Sequence, residues 1–256
     1  MSGEGSRNGQ TAKGYDGFFI GWGKKLPKGL NSFLIIVSLF TFGLFAGTAF
    51  SFVVTQNDPG DGSFKGRQRV VGVISAKPYP VLHVAAGEKY PDGHSFMLSG
   101  QGKRGVMERA NPLDGQVVEI RGALIKRGDL DMIQVGRMRP MAEESPHDVE
   151  ITQLGRWRLS GEICDGKCYA GAMRPGRGLA HKACANLCLV GGVPAVFVAN
   201  GEVDGASFFL LADAKGTPLD DKIYGLTAIL LSAEGDIERH GDLHIFKIDL
   251  DSVKVQ

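Results

Sequence analysis

A long segment without charged residues near the N-terminus limits what this chain can fold into more than any other feature. No residue between Lys28 and Asp58 is charged, and the core from Phe33 to Val54 is 22 residues long and mostly apolar. A helix of that length crosses the roughly 30 Å hydrocarbon core of a bilayer. We therefore predict a transmembrane helix over residues 29–57. A cleaved signal peptide is the main alternative, although the apolar run is longer than is usual for one, and a buried core helix is another.

Positive charge on the two sides of this segment predicts its orientation. The basic residues before it are Arg7, Lys13, Lys24, Lys25 and Lys28. After it, two acids, Asp58 and Asp61, come before the next basic residue. Since basic flanks stay on the cytoplasmic side, residues 1–28 are predicted to form a cytoplasmic tail. The rest of the chain would then lie in the periplasm, anchored by a single pass in a bacterial inner membrane, with the lipid bilayer as a partner.

The overall composition excludes some functions. Lys and Arg number 29 against 28 for Asp and Glu, so the chain lacks the strong basic excess that is typical of nucleic-acid binding, and no nucleic-acid partner is predicted. The sequence has no nucleophile-elbow, zinc-protease, phosphate-loop or dinucleotide-binding motif. We therefore predict a non-catalytic protein, with an enzyme that acts through Cys184 or Cys188 as the less favoured interpretation.

The part of the chain after the apolar segment contains two copies of one pattern. GHSFMLSGQG from Gly93 matches GASFFLLADA from Gly205, and the Gly-Asp-Leu triplets at 128–130 and 241–243 match at nearly the same offset. RVVGVISA from Arg69 resembles RLSGEICD from Arg158 at a shorter offset. Because these blocks occur in the same order, we predict two tandem domains. They cover 68–138 and 156–254 and are joined by a linker rich in proline and charge at 139–155.

Each copy is predicted to consist of short β-strands. Aliphatic and β-branched runs such as QVVEIRGAL and LDMIQV alternate with Gly, Pro and Asp turns. A glycine inside a long strand permits the bend of a small closed barrel. The fold class predicted is mainly β, in which the transmembrane helix is followed by two tandem OB-like barrels; a β-sandwich is the alternative. His83 and His94, in strands of the first copy, are expected to face solvent.

All four cysteines lie between Cys164 and Cys188, a segment that we call the cysteine cassette. The change of offset between the copies means that the second copy has gained about 23 residues there. We therefore predict that the cassette is an inserted, partly helical loop of the second barrel, since loops on rigid scaffolds often carry function. In the predicted helix, His181, Cys184 and Cys188 share one face.

Structural disulfides are one interpretation of the cassette. The count of cysteines is even and the predicted compartment is oxidising, so Cys164, Cys168, Cys184 and Cys188 are all disulfide candidates. The nested pairing, 164 with 188 and 168 with 184, is the simplest to picture. Thiol exchange or copper delivery through the two CxxxC pairs remains a further interpretation.

A metal centre is the competing interpretation. Three thiolates and an imidazole form a Cys3His set that suits zinc or copper. The candidate ligands are Cys168, His181, Cys184 and Cys188. Neighbouring positive charge favours the thiolate form, and the cassette supplies it through Lys167, Arg174, Arg177 and Lys182.

The string GEICDGKC, followed by HKACANLC and a Gly-Pro turn, is similar to a pattern in small exported bacterial proteins of OB-like build, whose function is unassigned. The resemblance covers Gly161 to Val198, with looser similarity to about residue 249. It implies that Cys168, His181, Cys184 and Cys188 form a shared set with Asp165 nearby. Cys164 stands where the pattern has an aliphatic residue, so the resemblance makes it an additional cysteine.

Together these observations predict an anchored accessory subunit of a respiratory or photosynthetic electron-transfer complex in the membrane. Its partners would be other membrane protein subunits, and its cassette would be structural or metal-binding. The alternative is a membrane-tethered periplasmic protein that binds zinc or copper or carries electrons.

Overall fold

The computed structural model describes residues 29–55 and 60–256, which fall into two compact units divided after residue 56. The predicted cytoplasmic tail, residues 1–28, lies outside the described residues.

The first unit contains one helix, α1 (Leu30–Thr55), within the predicted segment. Residues Leu30–Val54 have a mean hydropathy of 2.2, and none of the most apolar stretch is buried. Large apolar side chains such as Phe42 and Val53 are each 75% exposed, so α1 does not have the environment of a soluble core helix. By length and composition it is either a membrane span or a signal sequence.

The second unit is mainly β-sheet. The strands of its first half are β1 (Ser63–Ser75), β2 (Val81–Val84), β3 (His94–Ser99), β4 (Val117–Arg127) and β5 (Leu130–Pro140). Those of its second half are β6 (Ile151–Asp165), β7 (Ala195–Val203), β8 (Ala206–Ala212), β9 (Leu230–His240) and β10 (Leu243–Val255). The helices are α2 (Met107–Ala110), α3 (Lys182–Val190) and α4 (Ile223–Leu226). Each half closes into a five-stranded barrel.

The two barrels have the same strand order. The first runs β1-β2-β3-β5-β4 and the second β6-β7-β8-β10-β9. In each barrel the third and fifth strands are parallel, and the other neighbours are antiparallel. The matched Gly-Ser-Phe blocks lead into β3 and β8, so each copy of the sequence pattern corresponds to one barrel.

The strands are longer than the apolar runs in the sequence. β1 begins at Ser63, β5 continues to Pro140 and β6 begins at Ile151, so the connection between the barrels is 141–150 rather than 139–155. These strand ends carry mostly exposed side chains, and backbone pairing defines them, as in the pairs Ser63 with Lys126 and Ile151 with His240. A strand exposed on both faces lacks the apolar alternation that reveals strands in a sequence.

One core joins the two barrels. Tyr79 and Met132 of the first barrel belong to the same buried group as Phe197, Phe209 and Phe246 of the second. A separate buried group fills the first barrel, around Phe96, Leu98 and Ile120. Because apolar packing continues from one barrel to the other, residues 60–256 lie within one compact unit.

The structure corrects the expectation that His83 and His94 face solvent. His83 is 3% exposed and its Nδ1 lies 2.9 Å from Ser95 Oγ. Burial lowers the pKa of His83 to about 4, so its ring is neutral at physiological pH. His94 lies between two carboxylates, with Nε2 2.8 Å from Asp131 and Nδ1 2.6 Å from Asp242 of the second barrel. It therefore links the two barrels.

This link predicts a stability that depends on pH. Burial opposes protonation of His94, but its bonds to Asp131 and Asp242 outweigh that effect and raise its pKa to about 9. Since the folded-state pKa lies above the ordinary value of 6.5, the stabilisation is fully present below pH 6.5 and is lost as pH rises through 9. We expect the free energy of unfolding to fall by roughly 2 kcal/mol over that window, after allowing for partial exposure of Asp242. Urea unfolding of the full chain in detergent at both ends of the window measures it.

The variant His94→Gln provides the control, because it keeps a polar group but cannot be protonated. Its unfolding free energy should change much less over the same pH window. An equal loss in both proteins would show that other groups are responsible.

Candidate metal centre

The cysteine cassette connects β6 to β7 and begins where β6 ends. The carboxylate of Asp165, the last residue of β6, accepts a hydrogen bond from the backbone N–H of Cys168 at 2.8 Å. A short helical turn, Cys168–Ala172, follows this contact and is interrupted at Gly171, whose φ is 136°. The chain then returns through a 3₁₀ turn, Leu179–His181, into α3 (Lys182–Val190). The predicted helix therefore forms, and it brings the second cysteine pair back over the first.

Three of the four cysteine sulfurs lie together. The Sγ atoms of Cys168, Cys184 and Cys188 are all within 4.8 Å of one another, and those of Cys168 and Cys188 are 3.9 Å apart. Cys168 and Cys188 are 3% and 1% exposed, and both pack against Val193, whereas Cys184 is only partly buried. We call these three side chains the thiol cluster. Because Cys184 is partly exposed, a ligand can reach the thiol cluster from the solvent at this residue.

His181 does not complete the predicted Cys3His set. Its Nε2 lies 3.1 Å from Asp165 Oδ2, and both side chains are buried. Its ring nitrogen forms a compact group with Asp165 and Cys168, but not with all three sulfurs. The periodicity of a helix places His181 on the same face as Cys184 and Cys188, but a buried carboxylate beside it gives the imidazole a closer partner. Asp165 is therefore engaged twice, by His181 and by the backbone N–H of Cys168.

The predicted disulfides are absent, and all four cysteines are free thiols. The nested pairing is not the arrangement found, because Cys168 lies beside Cys188 and Cys164 lies outside the thiol cluster. Cys164 is buried in β6, and its Sγ is 3.3 Å from the Glu162 carboxylate. Burial raises the pKa of Cys164 well above its usual value, so this thiol stays protonated.

Within the thiol cluster, one hydrogen bond shifts the pKa values of Cys168 and Cys188 in opposite directions. The Sγ atoms of Cys168 and Cys188 share this bond, in which either can donate, and it raises the pKa of Cys168 while it lowers that of Cys188. Of these two cysteines, Cys188 therefore ionises more readily. A deprotonated sulfur is the form that binds metal ions.

Two ammonium groups lie beside the thiol cluster. Lys103, in the loop after β3 of the first barrel, places Nζ 2.6 Å from Cys184 Sγ and 3.9 Å from Cys188 Sγ. The contact with Cys184 raises the pKa of Lys103. Lys167 is 3% exposed and donates to the backbone oxygens of Gly100 and Gly102 in the same loop. Burial lowers the pKa of Lys167, while the nearby thiolates and Asp165 oppose that effect.

The other basic residues of the cassette have different partners. Arg174 donates to the backbone oxygen of Gly62, and Lys182 to that of Gly225. Arg177 acts electrostatically on Cys164 and Tyr169 rather than on the thiol cluster. Of the four basic residues predicted to support thiolates, Lys167 interacts electrostatically with Cys168 and Cys188. Lys103 was not predicted, since it lies 81 residues before Cys184 and follows no recognisable motif.

A close contact between backbones holds the Lys103 loop against the cassette. The N–H of Gly105 donates to the oxygen of Gly191, which follows α3, at 2.7 Å. A Cβ added to Gly191 would lie 1.7 Å from the oxygen of Lys103, and one added to Gly105 would lie 1.9 Å from the oxygen of Gly192. Only residues without a side chain allow this approach. The thiol cluster is therefore built at the junction of the two barrels.

Comparison with protein-family models, with curated proteins and with solved structures gave no match for this chain. The resemblance to small exported bacterial proteins therefore stays a prediction. What the chain does has to be argued from the chemistry of the thiol cluster itself.

Proposed function

We propose that this chain is a membrane-tethered protein that binds a thiophilic metal ion, with Cu⁺ favoured over Zn²⁺. The convergence of the Cys168, Cys184 and Cys188 sulfurs carries the proposal. Metal–thiolate bonds are about 2.3 Å long, so two sulfurs on one ion lie about 3.8 to 4.0 Å apart in tetrahedral or trigonal geometry. The separation of 3.9 Å between Cys168 and Cys188 has that value.

The number and type of ligands favour Cu⁺. Structural zinc sites are almost always four-coordinate, but His181 and Asp165, the nearest candidates for a fourth ligand, are bonded to each other. Soft sulfur ligands without nitrogen or oxygen suit Cu⁺. A set of three thiolates therefore matches a monovalent soft ion better than Zn²⁺.

Positive charge beside the sulfurs favours their thiolate form. Three thiolates around Cu⁺ have two excess negative charges, and an excess of charge in a buried site is costly unless it is paired. Lys103 and Lys167 supply two positive charges beside the sulfurs.

The finer features of the fold and location belong to the proposal too. We propose that both barrels are OB-like, and their shared strand order supports this. The cassette is then an insertion, since the connection between the first two strands covers 76–80 in the first barrel and 166–194 in the second.

We also propose that α1 remains attached and spans the inner membrane with the N-terminus in the cytoplasm and the barrels in the periplasm. N-terminal sequencing of the mature protein tests the tether, and a chain that begins after residue 55 would contradict it.

Metal analysis of the full chain tests the function. The protein is purified in a neutral detergent under reducing, anaerobic conditions, supplied separately with Cu⁺ and Zn²⁺, and dialysed against a competing chelator. We expect about one Cu⁺ retained per chain and less Zn²⁺. Preferential retention of Zn²⁺ would overturn the choice of ion. Loss of both ions, with all four thiols still free when they are titrated in denaturant, would overturn metal binding.

A role as an accessory subunit of an electron-transfer complex stays a second proposal. It is favoured by an apolar stripe on α3, where Ala183, Leu187 and Val190 are exposed next to the thiol cluster. Residues spaced by three and four lie side by side on a helix surface, so the stripe offers a contact for another protein. Co-purification of a second polypeptide at constant stoichiometry after mild detergent extraction would support this role, and a monomer without partners would contradict it.

A further inference from the structure

Three arginines form a row across the first barrel. Backbone pairing places Arg69 of β1 opposite Arg121 of β4, and Arg121 opposite Arg137 of β5. Residues that pair directly across antiparallel strands point to the same side of the sheet. Like charges in such positions repel one another and destabilise a sheet, so this row is a cost to the fold unless something else offsets it.

The row lines a cleft with a volume of about 740 Å³. Its floor contains residues with little or no side chain, Gly122, Ala123 and Gly136. Its walls add Arg67, Gln68 and Gln134, which offer further hydrogen-bond donors. Small residues below and long polar residues around them produce a concave surface on the outside of the barrel.

Among the described residues, one carboxylate forms ion pairs with two of the four arginines that line the cleft. Glu119 accepts from Arg69 Nε and, at 2.7 Å, from Arg121 Nε, and these contacts lower its pKa. Neither Arg67 nor Arg137 has a carboxylate partner among the described residues. The cleft therefore has an excess of about three positive charges, in a chain whose whole net charge is +1.

In the second barrel, the equivalent positions have no excess of positive charge. The row equivalent to Arg69, Arg121 and Arg137 consists of Arg158, Glu234 and Asp249. There Arg158 Nε lies 3.0 Å from Glu234, and the neighbouring Arg156 lies 3.1 Å from Asp249. Two barrels with one topology thus differ in charge at this row. In the second the charges pair internally, and in the first they are left for an external partner.

We infer that this cleft is a binding site for a phosphate-bearing ligand. Guanidinium groups donate pairs of parallel hydrogen bonds to phosphate oxygens, which is the geometry that arginine recognises best. An excess of about three positive charges matches a group that carries two or more negative charges, as a phosphate ester or polyphosphate does. Such a phosphate belongs either to a soluble molecule or to the headgroup of an anionic phospholipid.

Titration calorimetry on the full chain in a neutral detergent tests both sources. One titration uses inorganic tripolyphosphate, and the other uses the short-chain anionic lipid dihexanoyl phosphatidylglycerol. Dihexanoyl phosphatidylcholine, which has no net charge, is the control lipid. Binding of tripolyphosphate alone supports a soluble ligand, binding of the glycerol lipid alone supports a headgroup, and binding of both supports the shared chemistry. Binding of neither would overturn the proposal.

Arg137→Asp is the decisive variant, because it copies the acid that the second barrel has at the same place. It should lower the affinity for the bound probe about tenfold or more. Its melting temperature without phosphate should equal or exceed that of the parent, since a repulsive neighbour becomes an attractive one. Arg109→Asp makes the same change of charge on α2, outside the cleft, and should leave the affinity nearly unchanged.

If Arg137→Asp does not fold, Arg67→Ala removes one donor from the same cleft and should still weaken binding. Equal affinity in the parent and in either cleft variant would overturn the proposal, as would an equal loss in Arg109→Asp. The thiol cluster is not involved, so this result is independent of the metal experiments.

Discussion

Replacing Cys184 by serine is expected to lower the affinity of the chain for Cu⁺ by more than about 100-fold. Changes to groups that merely support metal ligands cost about 10- to 100-fold, and Cys184→Ser removes one of three ligands outright. Cys184 is also the least buried member of the thiol cluster. Its replacement should therefore change stability little and leave a folded protein to measure. Competition with a Cu⁺ chelator of known affinity gives the change directly.

Cys164→Ser is the matched control. Cys164 belongs to the same cassette, but its sulfur lies outside the thiol cluster, beside Glu162. Serine can keep that hydrogen bond, so the variant should bind Cu⁺ with nearly the affinity of the parent. A similar loss of affinity in both variants, or no loss in Cys184→Ser, would show that the three sulfurs do not act as one site.

The second large effect is expected from Gly191→Ala. The new methyl group would lie 1.7 Å from the backbone oxygen of Lys103, where neither backbone can yield without moving its element. Overpacking of this kind costs about 1–3 kcal/mol and occasionally more, and we expect about 3 kcal/mol of unfolding free energy here. Urea unfolding of the full chain in detergent measures the loss.

Gly201→Ala is the control for this prediction. Gly201 lies in β7 with nothing within 4 Å of an added Cβ, so the same change should cost less than about 0.5 kcal/mol. Gly191→Ala should also weaken Cu⁺ binding, because the displaced loop carries Lys103. Unfolding free energies that agree between the two variants would mean that the contact between Gly191 and the Lys103 loop is not needed for stability.

The sequence pattern predicts some parts of this molecule well for clear physical reasons. A long run of apolar residues without charge can adopt few conformations other than a helix, and the helix α1 covers Leu30–Thr55. Within the barrels, the apolar runs correspond to strands because their side chains are buried, as in β3, where five of the six residues are buried on both faces of the strand. A conserved order of short blocks within one chain was enough to predict two similar halves.

The site was predicted only in part, since distant contacts decide it. The spacing of Cys184 and Cys188 predicts that they share one face of a helix, and in the structure their sulfurs lie within 4.8 Å of that of Cys168. The same spacing could not show that Asp165 would be buried within 3.1 Å of His181. Nor could it show that Lys103 would reach Cys184 from the other barrel, because a lysine in a glycine-rich loop has no local signal. The arginine row was missed for a similar reason, as strand register brings together positions 52 and 16 residues apart.

The loop that carries Lys103 also has a consequence for the order in which the protein is made. Synthesis proceeds from the N-terminus, and domains generally fold as they emerge. All strands of the first barrel, up to Pro140, precede Cys164 in the chain. With the barrels in the proposed periplasmic location, the surface that receives Lys167 and closes over Cys184 emerges from the membrane before any cysteine and can fold first. Each newly made thiol then meets a folded cover at once, which shortens the time during which stray oxidants or the wrong ion can reach it.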